Sequence, residues 1–262
     1  MEKLNFTKMA GAGNDFVVIG AGFKGLSALA KRLCDRKAGI GADGMLVLEK
    51  SKTADFRMRI FNADGSEAEM CGIGLRCAVL FKGMKRKVKV ETIAGIYGGE
   101  ITAKDRVKIG MEEPGGLKVN FPINVNGREI KANFINTGVP HTVVFVEGLD
   151  KIDVDSIGSG IRYHDEFKPK GSNVNFVEIV DDRNIKIRTY ERGVEGETLA
   201  CGTGSVASAI ISTLKAQGSG LKVNVHTKGG VLKVEFDNIK NKIKNVYLEG
   251  EAKIVFQGGI YV

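Results

Sequence analysis

Short runs of alternating and apolar residues dominate this chain, and the same runs occur twice. FTKMAGAGNDFVVI (residues 6–19) and FINTGVPHTVVFV (residues 134–146) each predict a strand, a glycine turn and an apolar strand. FRMRIFNADGSEAEMCGIG (residues 56–74) and IKIRTYERGVEGETLACGTG (residues 185–204) each alternate like a strand, break at glycine and acidic residues, and end in a cysteine turn. Both parts of the chain are therefore predicted to be rich in short strands.

A third pair of runs follows the cysteine turns in the same order. KVKVETIAGIYGGEI (residues 87–101) resembles KVNVHTKGGVLKVEF (residues 222–236). Because three matched blocks are each displaced by about 130 residues, the chain is predicted to consist of two homologous halves.

Proline and glycine cluster in residues 111–122, which places the boundary between the halves there. This predicts domains over residues 1–115 and 116–249, with residues 250–262 as a last strand that could return to the N-terminal half. Two similar domains face each other most simply through a pseudo-twofold axis. We therefore expect the two cysteine turns to meet across a cleft, where ligands often bind.

Helical spacing of apolar residues is confined to a few segments. Residues 75–81 and 206–214 predict one helix behind each cysteine turn, and residues 26–36 predict a further helix. Since strands are in the majority and the helices pack against them, the predicted class is α+β. GIGADG (residues 39–44) spells a dinucleotide-binding motif, but a helix is predicted before it and a strand after it, which is the reverse of the order that such a site needs.

Composition narrows the class of protein. The 262 residues are 43% hydrophobic, which is ordinary for a globular chain. No apolar run approaches the ~20 residues that span a bilayer, and MEKLNFTKMAGAG lacks the apolar segment of a signal peptide. We therefore expect a cytoplasmic protein with no membrane partner. The net charge of +8 is spread among interleaved acids without an arginine-rich or aromatic-basic motif, so we expect no nucleic-acid partner.

Cysteine and glycine usage points to the chemistry. The four cysteines contain no C-x-x-C and the three histidines lie far apart, so neither a disulfide framework nor a zinc site is predicted, and no feature calls for a cofactor. Thirty-five glycines, about twice the usual ~7%, predict tight turns whose backbone N–H groups a ligand can approach. Cys34 and Cys77 are predicted to be buried small apolar residues.

The two cysteine turns, at Cys71 and Cys201, share the pattern Cys-Gly-x-Gly ahead of a helix. A helix N-terminus offers unpaired N–H groups and a positive dipole end, so it can bind a carboxylate and favour a thiolate. Inverting a carbon is most direct with two groups on opposite faces, a thiolate that takes the proton and a thiol that delivers another. The paired turns therefore predict proton transfer at a carbon next to a carboxylate, with no metal or cofactor.

Several motifs together resemble one known family. FTKMAGAGNDFVVI, GIGADG, FNADGSEAEMCGIGLRC, PH, NVNFVEI and YERGVEGETLACGTG are similar to the diaminopimelate epimerase family from about residue 6 to the C-terminus. The resemblance implies two pseudo-symmetric domains, each a mostly antiparallel sheet wrapped around a central helix, with the active site in the interdomain cleft. It also implies a homodimer that interconverts LL- and meso-2,6-diaminopimelate without a cofactor, for lysine and peptidoglycan synthesis.

The resemblance also assigns roles to individual residues. Cys71 and Cys201 would be the catalytic proton-transfer pair, and His141 and Glu191 would tune the site. The substrate would be held by backbone N–H groups at the two turns and by polar side chains, in full Asn14, Asn62, Gly72, Ile73, Asn173, Glu191, Arg192, Gly202 and Thr203. From the residues alone, Asn62 could equally shape a turn, Glu191 could be a surface acid, and His141 could be structural.

Three positions depart from the family pattern. The family often has asparagine at the positions of Ile73 and Val139, and glutamine at the position of Gly44. At Ile73 only a backbone donor is needed, so little is lost there. The departures at Val139 and Gly44 bear on substrate recognition, and none of the three bears on proton transfer. The alternatives are therefore a cofactor-independent racemase of another amino acid, such as lysine or histidine, and a non-catalytic binding protein on the same scaffold.

Overall fold

A computed structural model describes residues 3–214 and 218–261 of the chain. These residues form eighteen β-strands and four α-helices, which confirms the α+β class. The helices are α1 (Leu26–Cys34), α2 (Gly72–Lys82), α3 (Val154–Arg162) and α4 (Gly202–Ser212). The first nine strands are β1 (Lys3–Gly11), β2 (Asn14–Gly20), β3 (Gly44–Glu49), β4 (Phe56–Asn62), β5 (Glu67–Ala68), β6 (Val88–Thr92), β7 (Gly95–Ala103), β8 (Arg106–Gly110) and β9 (Gly115–Val125). The others are β10 (Arg128–Asn136), β11 (Pro140–Phe145), β12 (Asn173–Asp181), β13 (Asn184–Glu191), β14 (Gly196–Thr198), β15 (Gly218–Thr227), β16 (Gly230–Ile239), β17 (Lys242–Glu251) and β18 (Lys253–Tyr261).

The chain divides into two compact units. Unit 1 comprises Met1–Gly110 together with Glu249–Val262, and unit 2 comprises Met111–Leu248. In unit 1 the last strand, β18, pairs antiparallel with the first, β1. The C-terminal segment is therefore part of the sheet of the N-terminal unit.

Strand pairing follows the same order in both units. In unit 1 the pairs β1–β2, β3–β4, β4–β5 and β6–β7 are antiparallel, while β2–β3 and β4–β6 are parallel. In unit 2 the pairs β10–β11, β12–β13, β13–β14 and β15–β16 are antiparallel, while β11–β12 and β13–β15 are parallel. Helix α1 precedes β3 as α3 precedes β12, and α2 precedes β6 as α4 precedes β15. Each unit is thus a mostly antiparallel sheet built on one repeated plan.

A central helix lies against the sheet of each unit. In unit 1, α2 contacts β1–β4, β6–β8 and β18, and in unit 2, α4 contacts β10–β13, β15 and β16. Every residue from Ile73 to Val79 of α2 is buried, as is every residue from Gly204 to Ile211 of α4. Because a buried Val, Leu or Ile side chain stabilises a fold by about 1.5–3 kcal/mol, these two helices anchor the two cores.

The observed helices begin or end a few residues from their predicted bounds. Helix α1 stops at Cys34 rather than at residue 36, because Asp35 leaves the helical conformation and its carboxylate accepts the N–H groups of Lys37 and Ala38 at 2.7 Å. Helices α2 and α4 begin earlier than the apolar spacing predicts, at Gly72 and Gly202. Their first turns, GIGL and GTGS, each contain two glycines, which interrupt the hydrophobic periodicity.

The segment GIGADG lies between α1 and β3, in the order that the sequence predicts. A helix precedes it and a strand follows it, so it lacks the strand-before-helix context of a dinucleotide site. Among the described residues, no helix combines the length and the apolar character needed to cross a membrane.

Candidate active site

Helix α2 begins at the first cysteine turn. Cys71 is its N-cap residue, in an extended conformation, and its sulfur accepts a hydrogen bond from the backbone N–H of Gly74 at 3.5 Å. The first turn of a helix presents N–H groups and the positive end of the helix dipole, so this position favours an anion or a thiolate. Ile73 is only 5% exposed, so what it can offer to a ligand is its backbone N–H.

A buried arginine lies on α2 close to Cys71. The side chain of Arg76 is fully buried, and its Nε donates to the carbonyl oxygen of Glu251 at 3.4 Å. Burial lowers the pKa of Arg76, while the neighbouring thiols Cys77 and Cys71 act in the opposite direction. The same electrostatic attraction between a cation and a sulfur favours the thiolate form of Cys71.

The two other cysteines are buried in unit 1, as predicted from their sequence context. Burial raises the pKa of the Cys34 thiol to about 11 and that of the Cys77 thiol to about 12. Since only the thiolate reacts, both residues are inert at neutral pH. Each of the four cysteines is a thiol, and all four lie within the described residues.

A two-residue turn places Asn14 at the start of β2. Ala12 and Gly13 have φ angles of 47° and 94°, and Gly11 pairs with Asn14, as in a type I′ hairpin. The Asn14 side-chain amide donates to Asp43 Oδ2 at 3.3 Å. A carboxylate that sequence reasoning did not single out therefore orients Asn14.

Asp43 belongs to an ionic cluster behind this turn. Arg36 Nη2 lies 2.7 Å from Asp43 Oδ1 and 2.8 Å from Asp15 Oδ1, and Lys8 Nζ lies 2.7 Å from Asp15 Oδ2. Lys8 also donates to the carbonyl oxygen of Gly41. Burial alone would raise the pKa of Asp15, but the hydrogen bonds from Arg36 and Lys8 outweigh burial and hold that pKa well below its usual value. The cluster joins the GAGND and GIGADG segments.

Asn62 and Gly44 pair with each other at the ends of β4 and β3. Asn62 is exposed, and its side-chain amide donates to Ser66 Oγ at 2.9 Å across the turn that follows β4. A Cβ atom on Gly44 would lie 2.8 Å from the carbonyl oxygen of Phe61. Any side chain at position 44, including the glutamine common in the family that the sequence resembles, would require the backbone to shift.

Helix α4 begins at the second cysteine turn, in unit 2. Cys201 is its N-cap residue and is 7% exposed, and its sulfur lies 3.5 Å from the Thr203 hydroxyl oxygen. The Ser205 hydroxyl donates to the carbonyl oxygen of Cys201 at 2.8 Å, and the Thr137 hydroxyl donates to that of Thr203 at 3.0 Å. These bonds fix the backbone of the turn from both sides.

His141 lies beneath this turn and is fully buried. Its Nε2 is 2.9 Å from Thr203 Oγ1, and its Nδ1 is 3.0 Å from the Asn175 side-chain amide. Burial, reinforced by the positive charge of Arg192, lowers the pKa of His141 to about 3. The ring is therefore neutral at physiological pH, and Thr203 links it to Cys201.

Asn173, Arg192 and Glu191 lie on neighbouring strands or loops of unit 2. The Asn173 side chain accepts the backbone N–H of Arg192 at 2.8 Å and donates to the carbonyl oxygen of Pro140 at 3.1 Å. The guanidinium of Arg192 donates to the carbonyl oxygen of Lys170 at 3.2 Å. Glu191 ends β13, and burial raises the pKa of its carboxyl.

Within each unit, some of the candidate residues lie near the start of the central helix. In unit 1, Gly11 pairs with Asn14. Gly11 also packs against the first turn of α2, since a Cβ atom at this position would lie 3.4 Å from Ile73 Cγ2. In unit 2, His141 pairs with Asn173 in the β11–β12 ladder, and Thr203 bonds His141. The residues that sequence reasoning missed are supporting ones, namely Lys8, Asp15, Arg36, Asp43, Arg76, Thr137, Asn175 and Thr189. The signal for Asn175 was available, since NVNFV places two asparagines among apolar residues, and all five of these positions in β12 are buried.

Among the described residues, no group of three or more histidine, cysteine, aspartate or glutamate side chains is arranged to hold a metal ion.

Solved structures share this fold at low sequence identity. A phenazine biosynthesis protein of the PhzF family from Bacillus anthracis aligns with a TM-score of 0.77 at 17% identity, covering 100% of both chains. A probable proline racemase from Agrobacterium radiobacter K84 aligns with a TM-score of 0.69 at 17% identity, covering 99% of this chain and 93% of that one. These likenesses establish the fold alone.

Sequence comparisons identify the family. The model of the family described as diaminopimelate epimerase matches residues 6–115 and 133–255. A diaminopimelate epimerase from Aquifex aeolicus (strain VF5) is 43% identical over 274 aligned positions, covering 97% of each chain. One from Archaeoglobus fulgidus is 43% identical over 279 positions, covering 98% of this chain and 96% of the relative. With near-complete coverage at this level of identity, and a cysteine at the start of each central helix, the chain belongs to the diaminopimelate epimerase family.

Proposed function

We propose that this protein is a cofactor-independent isomerase that interconverts LL- and meso-2,6-diaminopimelate. The observation that carries the proposal is the chemistry of the two helix starts, because Cys71 caps α2 and Cys201 caps α4. A non-catalytic binding protein would need only the N–H groups of the helices, whereas proton transfer on both faces of a carbon needs both sulfurs. The family relationship supplies the substrate class.

In the proposed reaction, one sulfur removes the α-proton as a thiolate and the other delivers a proton to the opposite face as a thiol. The C–H bond on one face breaks as an S–H bond forms, and the opposite S–H bond breaks as the new C–H bond forms. The electron pair resides meanwhile in an enolate-like carboxylate. Reversal exchanges the roles of Cys71 and Cys201, so one site serves both directions.

The negative charge that develops on the carboxylate is proposed to be stabilised by the helix starts. Backbone N–H groups of Gly72, Ile73, Gly202 and Thr203 are the donors. Each well-placed donor of this kind contributes about 3–4 kcal/mol to the transition state. Two observations support this role. The Ile73 side chain is buried, so the group that it offers is its backbone N–H. The backbone of Thr203 is held in place by the hydrogen bond that its carbonyl oxygen accepts from the Thr137 hydroxyl.

The distal amino-acid end of the substrate is proposed to be held by five side chains. Arginine matches a carboxylate by its planar fork, asparagines supply neutral hydrogen bonds, and a carboxylate pairs with an ammonium group. In this chain these residues are Asn14, Asn62, Asn173, Arg192 and Glu191. Arg192 uses one of its five N–H donors on the carbonyl oxygen of Lys170 and Asn62 uses one on Ser66, which leaves both side chains with polar groups for the substrate.

The second candidate function is racemisation of another amino acid such as lysine or histidine. Gly44 favours this alternative, because its close approach to Phe61 leaves no room for the side chain that many relatives carry. Val139 removes a second polar contact at the distal end. Both changes alter recognition and leave the two sulfurs in place. A homodimer in the cytoplasm, without nucleic-acid or membrane partners, completes the proposal.

The substrate is tested by incubating the enzyme in deuterium oxide with LL-diaminopimelate, L-lysine and L-histidine separately. We expect α-deuterium and the meso stereoisomer to accumulate with diaminopimelate, and no exchange with the two other amino acids. A Cys71→Ala, Cys201→Ala double variant is the blank for background exchange. Exchange in lysine or histidine with none in diaminopimelate would replace the first candidate by the second.

A further inference from the structure

A buried polar cluster lies under the start of α4, at positions where unit 1 is apolar. The α4 polar cluster consists of His141, Thr142, Asn175 and Thr189, whose exposures are 0%, 0%, 0% and 2%. In both units the register runs from a parallel pair into an antiparallel pair. In unit 2, Asn175 pairs with Val143 on one side and with Thr189 on the other. In unit 1, Leu46 pairs in the same way with Val18 and with Ile60. The equivalents of the cluster are therefore Phe16, Val17, Leu46 and Ile60.

The two central helices confirm this equivalence. A Cβ atom on Gly204 would lie 2.3 Å from Asn175 Oδ1, and a Cβ atom on Gly74 would lie 3.1 Å from Leu46 Cδ2. The same helix position thus packs on an amide in unit 2 and on a leucine in unit 1. Burying polar side chains is costly unless they are hydrogen-bonded, and an apolar solution exists in the same fold. The polar version therefore calls for a functional reason.

The hydrogen bonds of Asn175 fix which end of its amide is the NH₂ group. Its Nδ2 lies 3.3 Å from the carbonyl oxygen of Thr142, which can only accept, so this atom must be a donor. The Oδ1 atom accepts the Thr189 hydroxyl at 3.0 Å. The second hydrogen on Nδ2 then points to His141 Nδ1 at 3.0 Å. His141 Nδ1 is therefore an acceptor and carries no proton.

The tautomer of His141 follows from this contact. With Nδ1 unprotonated, the ring proton is on Nε2, which donates to Thr203 Oγ1 at 2.9 Å. The Thr203 hydroxyl accepts that bond, so its own hydrogen is directed elsewhere. The Cys201 sulfur lies 3.5 Å from the same oxygen.

We propose that Asn175 is a positioning residue for Cys201, because it holds His141 in the Nε2–H tautomer and thereby directs the Thr203 hydroxyl hydrogen at the Cys201 sulfur. This inference rests on the proposed role of Cys201 in proton transfer. A hydroxyl that donates to the sulfur stabilises its thiolate. The Cys71 sulfur accepts a hydrogen bond from the backbone N–H of Gly74.

The tautomer is tested first, by nitrogen-15 NMR of protein labelled in histidine. The chain has three histidines, so the His141→Gln variant assigns the His141 signals by difference. We expect a protonated Nε2 and an unprotonated Nδ1 throughout the neutral range. An Nδ1–H tautomer would overturn the proposal, since Thr203 would then donate to His141 and not to Cys201.

The effect on the sulfur is tested by titrating Cys201 through the ultraviolet absorbance of its thiolate, in a Cys71→Ala background. Thr203→Val keeps the shape of the side chain and removes the hydroxyl, so we expect the titration to move up by about one pH unit, a tenfold loss of thiolate. Thr203→Ser keeps the hydroxyl and is expected to titrate close to the Cys71→Ala parent. An unchanged titration in Thr203→Val would overturn the proposal.

Asn175→Leu installs the residue that unit 1 has at the equivalent position, Leu46. We expect this variant to lose the single His141 tautomer and to shift the Cys201 titration in the same direction as Thr203→Val. A folded Asn175→Leu variant that keeps both signals would remove Asn175 from the proposal. Neither readout needs turnover, so a protein that shows the predicted tautomer and titration but inverts no amino acid would contradict the proposed function alone.

Discussion

We expect replacement of Cys71 or Cys201 by alanine to abolish inversion of diaminopimelate while the fold is retained. We expect kcat/KM to fall by at least about 10³ in each single variant, since general acid–base catalysis contributes 10²–10⁴ and here one face of the carbon loses its only group. The double variant is expected to be no worse than either single one, because the two sulfurs act as a unit. The measurement is the rate of appearance of the second stereoisomer, with circular dichroism as the check on folding.

Cys34→Ala is the matched control, because Cys34 is a buried thiol of unit 1 whose pKa is raised to about 11. It removes the same atoms from the same unit, so turnover should survive although some stability is lost. Normal turnover in Cys71→Ala or Cys201→Ala would contradict the two-sulfur mechanism. A loss of turnover in Cys34→Ala with an intact fold would show that the assay responds to any lost thiol.

We expect acid to destabilise this protein through His141. In the unfolded chain His141 has the ordinary histidine pKa of 6.5, whereas burial lowers its pKa in the folded state to about 3. The unfolded state therefore binds more protons below pH 6.5, and the free energy of unfolding falls by up to about 1.4 kcal/mol per pH unit as the pH decreases. Between pH 6.5 and 4.5 we expect a loss of about 2–3 kcal/mol from this residue.

Glu191 acts in the opposite direction over part of this range, because burial raises its pKa and the folded state gains a proton first. The effect of His141 is therefore measured as the difference in the free energy of unfolding by urea between wild type and His141→Gln. Wild type should lose more stability than His141→Gln between pH 6.5 and 4.5. Equal pH dependence in wild type and His141→Gln would contradict a buried neutral ring.

The sequence is sufficient to predict the repeated architecture and the two cysteine turns at the starts of helices. The period of about 130 residues, the cysteine turns and the strand patterns all arise from local features that recur twice, and α2 and α4 begin where Cys71 and Cys201 predict. The resemblance of the motifs then supplied the family. The place of Cys71 and Cys201 at the starts of helices was predictable because the pattern Cys-Gly-x-Gly is local and is present in both halves.

The residues that support the site were not predictable in the same way. Asp43 contacts Asn14, which is 29 residues away, and Asn175 contacts His141, which is 34 residues away. Such contacts depend on strand register, and the register is set by pairing between distant segments. The burial of Arg76 was likewise not predictable, because an arginine is usually at the surface. Its side chain is fully buried because strands surround α2 on all its faces.

The central claim is that two different groups handle the proton on opposite faces of one carbon. It is tested most directly by starting from LL-diaminopimelate in deuterium oxide and measuring α-deuterium at low conversion. The account predicts that the inverted centre of the meso product carries deuterium from the outset, while the remaining LL-isomer still carries protium. Product that retains protium at the inverted centre, or LL-isomer that gains deuterium as fast as product forms, would mean that a single group removes and returns the proton, and the two-sulfur account would be wrong.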